Sequence, residues 1–376
     1  MELLRETWSA DKGWTAEGGD LADAQIVFYF VGPEVVRAAD AFTHLHKRYP
    51  KAEIVGCTTG GEIAGEDVQD DTAVAVAVQF TKGTKVRTAG ALLTSSDQSL
   101  DAGVRLAAEL KGDGLKAIYV LADGILTNGS ALIDGMRPVL GTEVVLTGGL
   151  AGDGARFKQT LVGCNGPLAS GIVVAIGFYG DSFQVGWGSV GGWEKFGPER
   201  MVTRSKANVL YELDGEPALD LYKRYLGDEA AGLPGTALLF PLTVRPQGDE
   251  NAAVVRTIVA VDEAEKTMTF AGDVPEGRVA QLMRGNFDGL IDGAGHAAEK
   301  AAQGGGATLA LLVSCIGRKL LMGQRVADEV EQAAAALGSK AVTAGFYSYG
   351  EIAPHGFTGR CELHNQTMTV TTFGEV

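Results

Sequence analysis

The chain is short of almost every residue pattern that names a chemistry. It has four cysteines and five histidines in 376 residues. The cysteines (57, 164, 315 and 361) form no CxxC pair and no regular framework, so reduced thiols are expected rather than a disulfide scaffold. HxxH and HExxH are absent, and a zinc site would need ligands from distant segments. The absence of CxxCH excludes covalently attached haem and leaves only a single histidine ligand for a non-covalent one. There is no GxxxxGK[ST], and no GxGxxG after the first strand, which speaks against a nucleotide site. No GxSxG supports a serine triad.

Positive charge is also scarce. Lys and Arg total 32 against 47 acids, a net charge of −15. Such a surface repels nucleic acid and anionic lipid, so neither is an expected partner. The opening MELLRETWSADKGW lacks the basic and apolar segments of a signal peptide. No apolar run approaches the ~20 residues of a membrane helix. A cytoplasmic protein without a membrane partner is the expectation.

What is present is an ordinary globular composition, 45% hydrophobic and 21% charged, with 53 glycines. The length suits two domains of about 190 residues each. Gln25 to Val31 (QIVFYFV) reads as a buried strand, Val35 to Leu45 repeats with helical spacing, and Glu53 to Val55 is a second strand ending at Gly56. The pattern recurs with strand Ala117 to Leu121, a helix from about Gly129, and strand Val144 to Leu146. It recurs again with strand Leu309 to Val313, a helix through Val326, Val330, Ala334 and Leu337, and strand Ala341 to Thr343. These are three β–α–β units with parallel strands. Added strands are expected at 73–80, 171–178 and 368–373, at 86–93, and as a hairpin over 254–261 and 266–271. The predicted class is α/β: two related domains of β–α–β units with added antiparallel strands, an internal duplication. The halves meet at Gly191 to Pro198, where Trp187 and Trp193 mark a packed crossover rather than a tether.

Each unit ends in a glycine loop with an acid: GCTTGGEI (Gly56 to Ile63), GLAGDG (Gly149 to Gly154) and GFYSYGEI (Gly345 to Ile352). Ligands of parallel α/β sheets bind beyond the strands' carboxyl ends, and glycine lets backbone amides approach closely. Tight turns would need the same residues. The candidate ligand-binding set is Cys57, Thr58, Thr59 and Glu62; Asp153; Cys315 and Arg318; Phe346, Tyr347, Ser348, Tyr349 and Glu351; His364 and Asn365. The aromatics Phe346, Tyr347 and Tyr349 are expected to wall a pocket that Glu351 charges. Cys315 and Cys57, at strand ends, are candidate nucleophiles or inert buried thiols. Arg318 clamps a carboxylate or pairs across the domain. His355 and His364 are metal ligands only if haem is bound.

The motifs GCTTGGEI, GGLAGDG and FKQTLV, then YELDGEPALDLYKRYLG, LLVSCIGRK, AGFYSYGEIAP and CELHNQTMTV, resemble the FIST family over roughly residues 24 to 374. The resemblance implies an N-terminal FIST domain over 24–192 and a C-terminal one over 193–376. It implies an intracellular sensory module, not an enzyme, that binds small ligands, amino acids among them. Such modules signal to kinases, cyclases or methyl-accepting proteins. With no length for an output domain, a stand-alone sensor is expected. It is similar in size to the nitric oxide sensing members, which bind haem and regulate histidine kinases and cyclic-di-GMP signalling. Haem sensing and cysteine-dependent catalysis are the alternatives.

Overall fold

Ile26–Val31 reads IVFYFV and is buried at every position. A strand apolar on both faces must be covered on both sides. In the computed structural model, which describes residues 1–305 and 307–376, this strand belongs to a four-stranded unit that occurs three times. The first unit comprises strands Glu2–Ser9, Ile26–Val31, Glu53–Thr58 and Ala73–Gln79. The second comprises Lys85–Leu92, Leu115–Ala122, Val145–Leu150 and Ile172–Tyr179. The third comprises Phe183–Val190, Leu309–Cys315, Val342–Ser348 and Met368–Glu375.

The pairing is the same in all three. The second and third strands are parallel. The fourth lies antiparallel beside the second, and the first antiparallel beside the fourth. A parallel pair needs a long crossover, which the helices Ala41–Arg48, Gly129–Leu140 and Val326–Leu337 supply. The mixed α/β class with β–α–β units and added antiparallel strands is as expected, and the internal repetition has three copies.

Each unit also lends a short strand to a neighbour. Glu62–Ala64 of the first unit pairs with Val342–Ser348 of the third. Gly350–Pro354 of the third pairs with Val145–Leu150 of the second. Val162–Cys164 of the second pairs with Glu53–Thr58 of the first. The exchange is cyclic, and it closes the edge beside each parallel pair. Side chains alternate along strands, and the inward set meets in one core. Phe28 lies 5.6 Å from Tyr119 and 6.4 Å from Phe373, ring centre to ring centre. Phe30 stacks on Phe346 at 4.8 Å.

Residues 194–284 form an inserted domain between the first strand of unit three and helix Phe287–Ala302. It is an antiparallel sheet closed by helix Ala218–Leu226, with its own core of Leu210, Tyr222, Met268, Phe270 and Leu282. At its entry Trp193 donates its indole N–H to the Gln366 carbonyl at 2.7 Å, so the crossover is packed. No helix among the described residues is long and apolar enough to cross a membrane.

A glycine leading into each loop, Gly148 just before the GLAGDG motif in the second unit, has one structural role. Gly56, Gly148 and Gly345 face Tyr29, Val120 and Leu312 across the parallel pair. A Cβ on each would stand 2.4, 2.0 and 1.9 Å from that partner's carbonyl oxygen. Gly345→Ala is therefore expected to destabilise the protein by about 2–4 kcal/mol through forced overpacking. Gly90→Ala, with nothing within 4 Å of its Cβ, should stay within about 0.5 kcal/mol of the parent. Urea unfolding of the two variants checks the pair; equal losses would refute the close-approach role.

Candidate functional site

The three parallel pairs bring their carboxyl ends together, and the loops that follow hydrogen-bond one another. Gly60 N–H donates to the Tyr347 carbonyl at 2.7 Å and Tyr347 N–H to that of Gly61 at 2.9 Å. Gly152 N–H donates to Thr58 at 3.0 Å, and Tyr349 N–H to Leu150 at 3.1 Å. These loop amides face neighbouring loops, not a cradle for an anion.

The loop acids are equally engaged. Glu62 accepts from the Thr59 hydroxyl and, at 2.9 Å each, from the Thr72 amide and hydroxyl. Glu351 repeats this with Ser348 Oγ at 2.7 Å, the Thr367 amide at 3.2 Å and its hydroxyl at 2.9 Å. In each case a hydroxyl three residues upstream and the threonine entering the last strand hold the carboxyl. The two do not share a cleft. Asp153 does something else: it takes the amides of Phe157, Lys158 and Gln159 and the Tyr349 hydroxyl. The second unit's counterpart of the glutamates is Asp123, bound by Thr160 Oγ1, Ser170 Oγ and Gly171 N–H at 2.6, 2.9 and 2.7 Å. Sequence reasoning passed over Asp123; its signal was an Asp-Gly at the strand end. Burial raises Glu62 to about 7 and Glu351 to about 8. Burial works to raise Asp123 too, but four hydrogen bonds outweigh it and hold its carboxyl below the usual range.

The cavity lies beside these loops, under the inserted domain. It measures about 330 Å³. The second unit contributes Gly124 to Asn128 in part, and Leu150; the third contributes Cys315, Ile316 and Tyr349. The inserted domain contributes Asn208, Leu238, Thr257, Val259, Phe270 and Ala271. No lining side chain is charged. Phe157 stacks on Tyr349 at 4.6 Å, and Ile125, Phe157 and Val259, each 40% exposed, form an apolar rim. Within it, the hydroxyls of Thr127 and Thr257 are buried without a hydrogen-bond partner. Asn365, fully buried beside Gly350, leaves both amide atoms unpaired. Two unsatisfied hydroxyls in the lining of one cavity are an arrangement that a bound molecule completes.

Of the sequence candidates, Cys315 and Tyr349 line the cavity. Three others lie outside the lining: Ser348 is the strand partner of Cys315, Glu351 lies near its thiol, and Asn365 is buried beside Gly350. Asp153 orients Tyr349 from behind. Burial, with Glu351 adding to it, pushes the Cys315 thiol far up, which keeps it protonated. The inserted-domain lining residues, Ile125 and Thr127 were missed, because a segment folded over a distant cleft carries no local signature.

The other candidates lie elsewhere. Phe346 points into the central core and Tyr347 to the opposite face, where it donates to Glu329 at 2.7 Å. Adjacent strand residues cannot wall one pocket, so the expected three-aromatic wall is corrected to Tyr349 alone. Arg318 is no ligand clamp; it is fully buried in an ion pair with Glu329 at 2.6 Å and donates to the Leu290 carbonyl at 2.8 Å. Cys57 sits in the central core, its thiol raised by burial. Thr58 accepts the Leu161 amide at 2.9 Å, and Thr59 serves Glu62.

The histidines do not fit haem. His355 and His364 stack at 5.8 Å, and their Nε2 atoms donate to the carbonyls of Ala253 and Ala353 at 2.9 and 3.0 Å. Burial, then the neighbouring His355, lowers His364 to about 3. Neither ring borders the cavity, so neither is placed as an axial ligand. No cluster among the described residues could hold a metal ion.

Comparison with known families finds the FIST N domain at residues 25–216 and the FIST C domain at residues 218–354. No curated protein matches the chain. Among solved structures the chain is similar to a chorismatase, at 9% identity and a TM-score of 0.36, over 99% of this chain and 98% of that one. It is similar also to cyanuric acid hydrolase from A. caulinodans, at 9% identity and a TM-score of 0.33, over 94% and 90%.

The two raised glutamates set a pH dependence. Between their usual value near 4.5 and about 7 to 8, the folded chain keeps protons that the unfolded chain has released. Stability therefore falls as pH rises through that window. His364 acts in the opposite sense below its usual 6.5, so the test belongs above that. Between about pH 6.5 and about pH 9, Glu351→Gln is expected to flatten the fall in the urea midpoint. An unchanged slope would refute the neutral buried acid.

Proposed function

We propose, since the chain belongs to the FIST family, whose domains are sensory and bind small ligands, that the cavity under the inserted domain is the ligand site. The observation that carries this reading is the pair of unpaired hydroxyls, Thr127 and Thr257, in the wall of an uncharged cavity. Its volume is within the range of small-molecule pockets, roughly 300–1,000 Å³. A neutral ligand with an apolar body and two or three hydrogen-bonding groups satisfies the site. A zwitterionic amino acid is favoured less, because no side chain of the lining offers a counter-charge.

Signal output follows from who owns the walls. The inserted domain supplies Thr257, Val259 and Phe270, so a ligand that contacts them biases its seating on the core. A partner, such as a histidine kinase or a cyclic-di-GMP signalling protein, would read that change. The protonated Cys315 supports a sensor over a cysteine-dependent enzyme, and the engaged histidines weigh against haem sensing.

A thermal-shift panel of neutral and zwitterionic metabolites tests the ligand class. A neutral compound is expected to raise the melting temperature. Thr127→Val with Thr257→Val should weaken it about tenfold, the loss of roughly 1.4 kcal/mol of hydrogen bonding, and Ala271→Trp should abolish it. Stabilisation by zwitterions alone, insensitive to these changes, would overturn the assignment. In the native protein Cys315 is expected to resist iodoacetamide near neutral pH; rapid alkylation there would restore the enzyme reading.

A further inference from the structure

A second cavity, of about 530 Å³, lies on the far side of Asp273. Asp273 forms part of the wall: its carboxylate accepts from Asn128 of the first cavity at 3.1 Å, and its carbonyl accepts Arg256 Nε at 2.9 Å. In a chain of net charge −15, this cleft gathers Arg137, Arg245, Arg256, Arg278 and Arg360.

Not all five are free to take a ligand. Arg137 pairs with Asp134 at 3.4 Å, and Arg245 pairs with Glu199 and Glu250 at 2.6 Å each. Arg256 is different. It is only 6% exposed, yet its guanidinium donates only to carbonyls, those of Asp273, Val255 and Leu363 at 2.9, 3.2 and 2.9 Å. Among the described residues no carboxylate lies within ion-pair distance of it. The carboxylates of Glu362 and Asp273 favour its charge only from beyond that distance, and a buried cation without a direct ion pair is costly. Arg278 and Arg360 stand at half-exposed and exposed positions of the same cleft, and the guanidinium of neither has a partner among the described residues. Of the cleft's acids, Asp134 is paired, Asp273 accepts Asn128, and Asp249 accepts the Asn251 amide at 3.1 Å. Glu362 makes no hydrogen bond or ion pair among the described residues, but its charge acts on Arg256 from a distance.

We propose that this cleft is a binding site for a small polyanion, whose phosphoryl or carboxylate oxygens are held by Arg256, Arg278 and Arg360. The guanidinium fork matches either group with paired hydrogen bonds. The anion supplies the direct ion pair that Arg256 lacks. Glu362 opposes it and limits the affinity. The site is separate from the neutral-ligand cavity, and its occupancy does not depend on that assignment.

Titration calorimetry of the full chain with sodium pyrophosphate and with sodium citrate, at constant ionic strength and against a sulfate baseline, tests the proposal. At least one of the two should bind more tightly than sulfate by about tenfold, and the preferred one identifies the group as phosphoryl or carboxylate. Arg278→Ala with Arg360→Ala, surface changes whose folding circular dichroism verifies, should weaken that binding about tenfold or more, and the corresponding lysine pair should weaken it less. Glu362→Gln should tighten it. Thr127→Val with Thr257→Val should leave it unchanged, which separates failure here from failure of the neutral-ligand site. Pyrophosphate and citrate binding no better than sulfate, or a double alanine variant that binds like the parent, would overturn the site.

Discussion

The cyclic exchange of three short strands is the constraint on which the rest depends. Each unit on its own would expose the edge of its parallel pair, and an open edge is a row of unpaired backbone groups. Lending Glu62–Ala64, Gly350–Pro354 and Val162–Cys164 around the ring covers all three edges with the same chain. It also fixes how near the sheets come, which is why Phe28, Tyr119 and Phe373 share one core. The glycines at 56, 148 and 345 follow from this closeness rather than from ligand contact.

The same exchange explains the loop acids. A strand that leaves one sheet and enters the next must turn sharply, and the turn strands polar groups in the interior. Glu62 and Glu351 gather those groups, each binding one upstream hydroxyl and both donors of one threonine. In the second unit the lent strand follows its sheet strand only after residues 151–161. There the task divides, Asp153 ordering that longer loop and Asp123 holding the entry to the last strand. Similar chemistry at dissimilar positions is what a shared topology with unequal loop lengths demands.

Much of this was legible in the sequence. The runs QIVFYFV and LALLVSC are apolar on both faces, and the GCTTGGEI and GFYSYGEI motifs mark the ends of equivalent strands. The third copy was visible only as GLAGDG, because its acid had moved to Asp123. The exchange itself was hidden: EIA and GEIAP fall where the sequence reads as glycine loops, and nothing local says which sheet a strand joins. The site was legible by half. Cys315 and Tyr349 follow from strand ends, whereas Thr257 and Phe270 reach the cavity through an insertion nearly a hundred residues long, whose docking depends on surfaces rather than on periodicity. Phe346 and Tyr347 misled because their alternation, plain in a strand, was read as a loop.

Rigidity is distributed unevenly as a result. The ring of lent strands ties every unit to both neighbours, and buried links such as Arg318 with Glu329 fasten the third unit to the chain's crossover near Gly191. Displacing any loop of the ring would break backbone bonds in two sheets and, in the first and third units, expose a glutamate whose proton burial retains. The inserted domain is held otherwise. It has its own core, and it meets the ring through separate polar contacts: Asn128 with Asp273, Arg256 with the Leu363 carbonyl, and Gln366 with the Leu238 carbonyl at 3.0 Å. Such contacts exchange with water at a far smaller cost than a shared apolar core. Both cavities lie along this seam, where a few hydrogen bonds, not the ring of lent strands, set the geometry. In a molecule built this way, what a bound molecule can alter is the seating of the insertion, and the ring serves as the fixed frame against which that seating is measured.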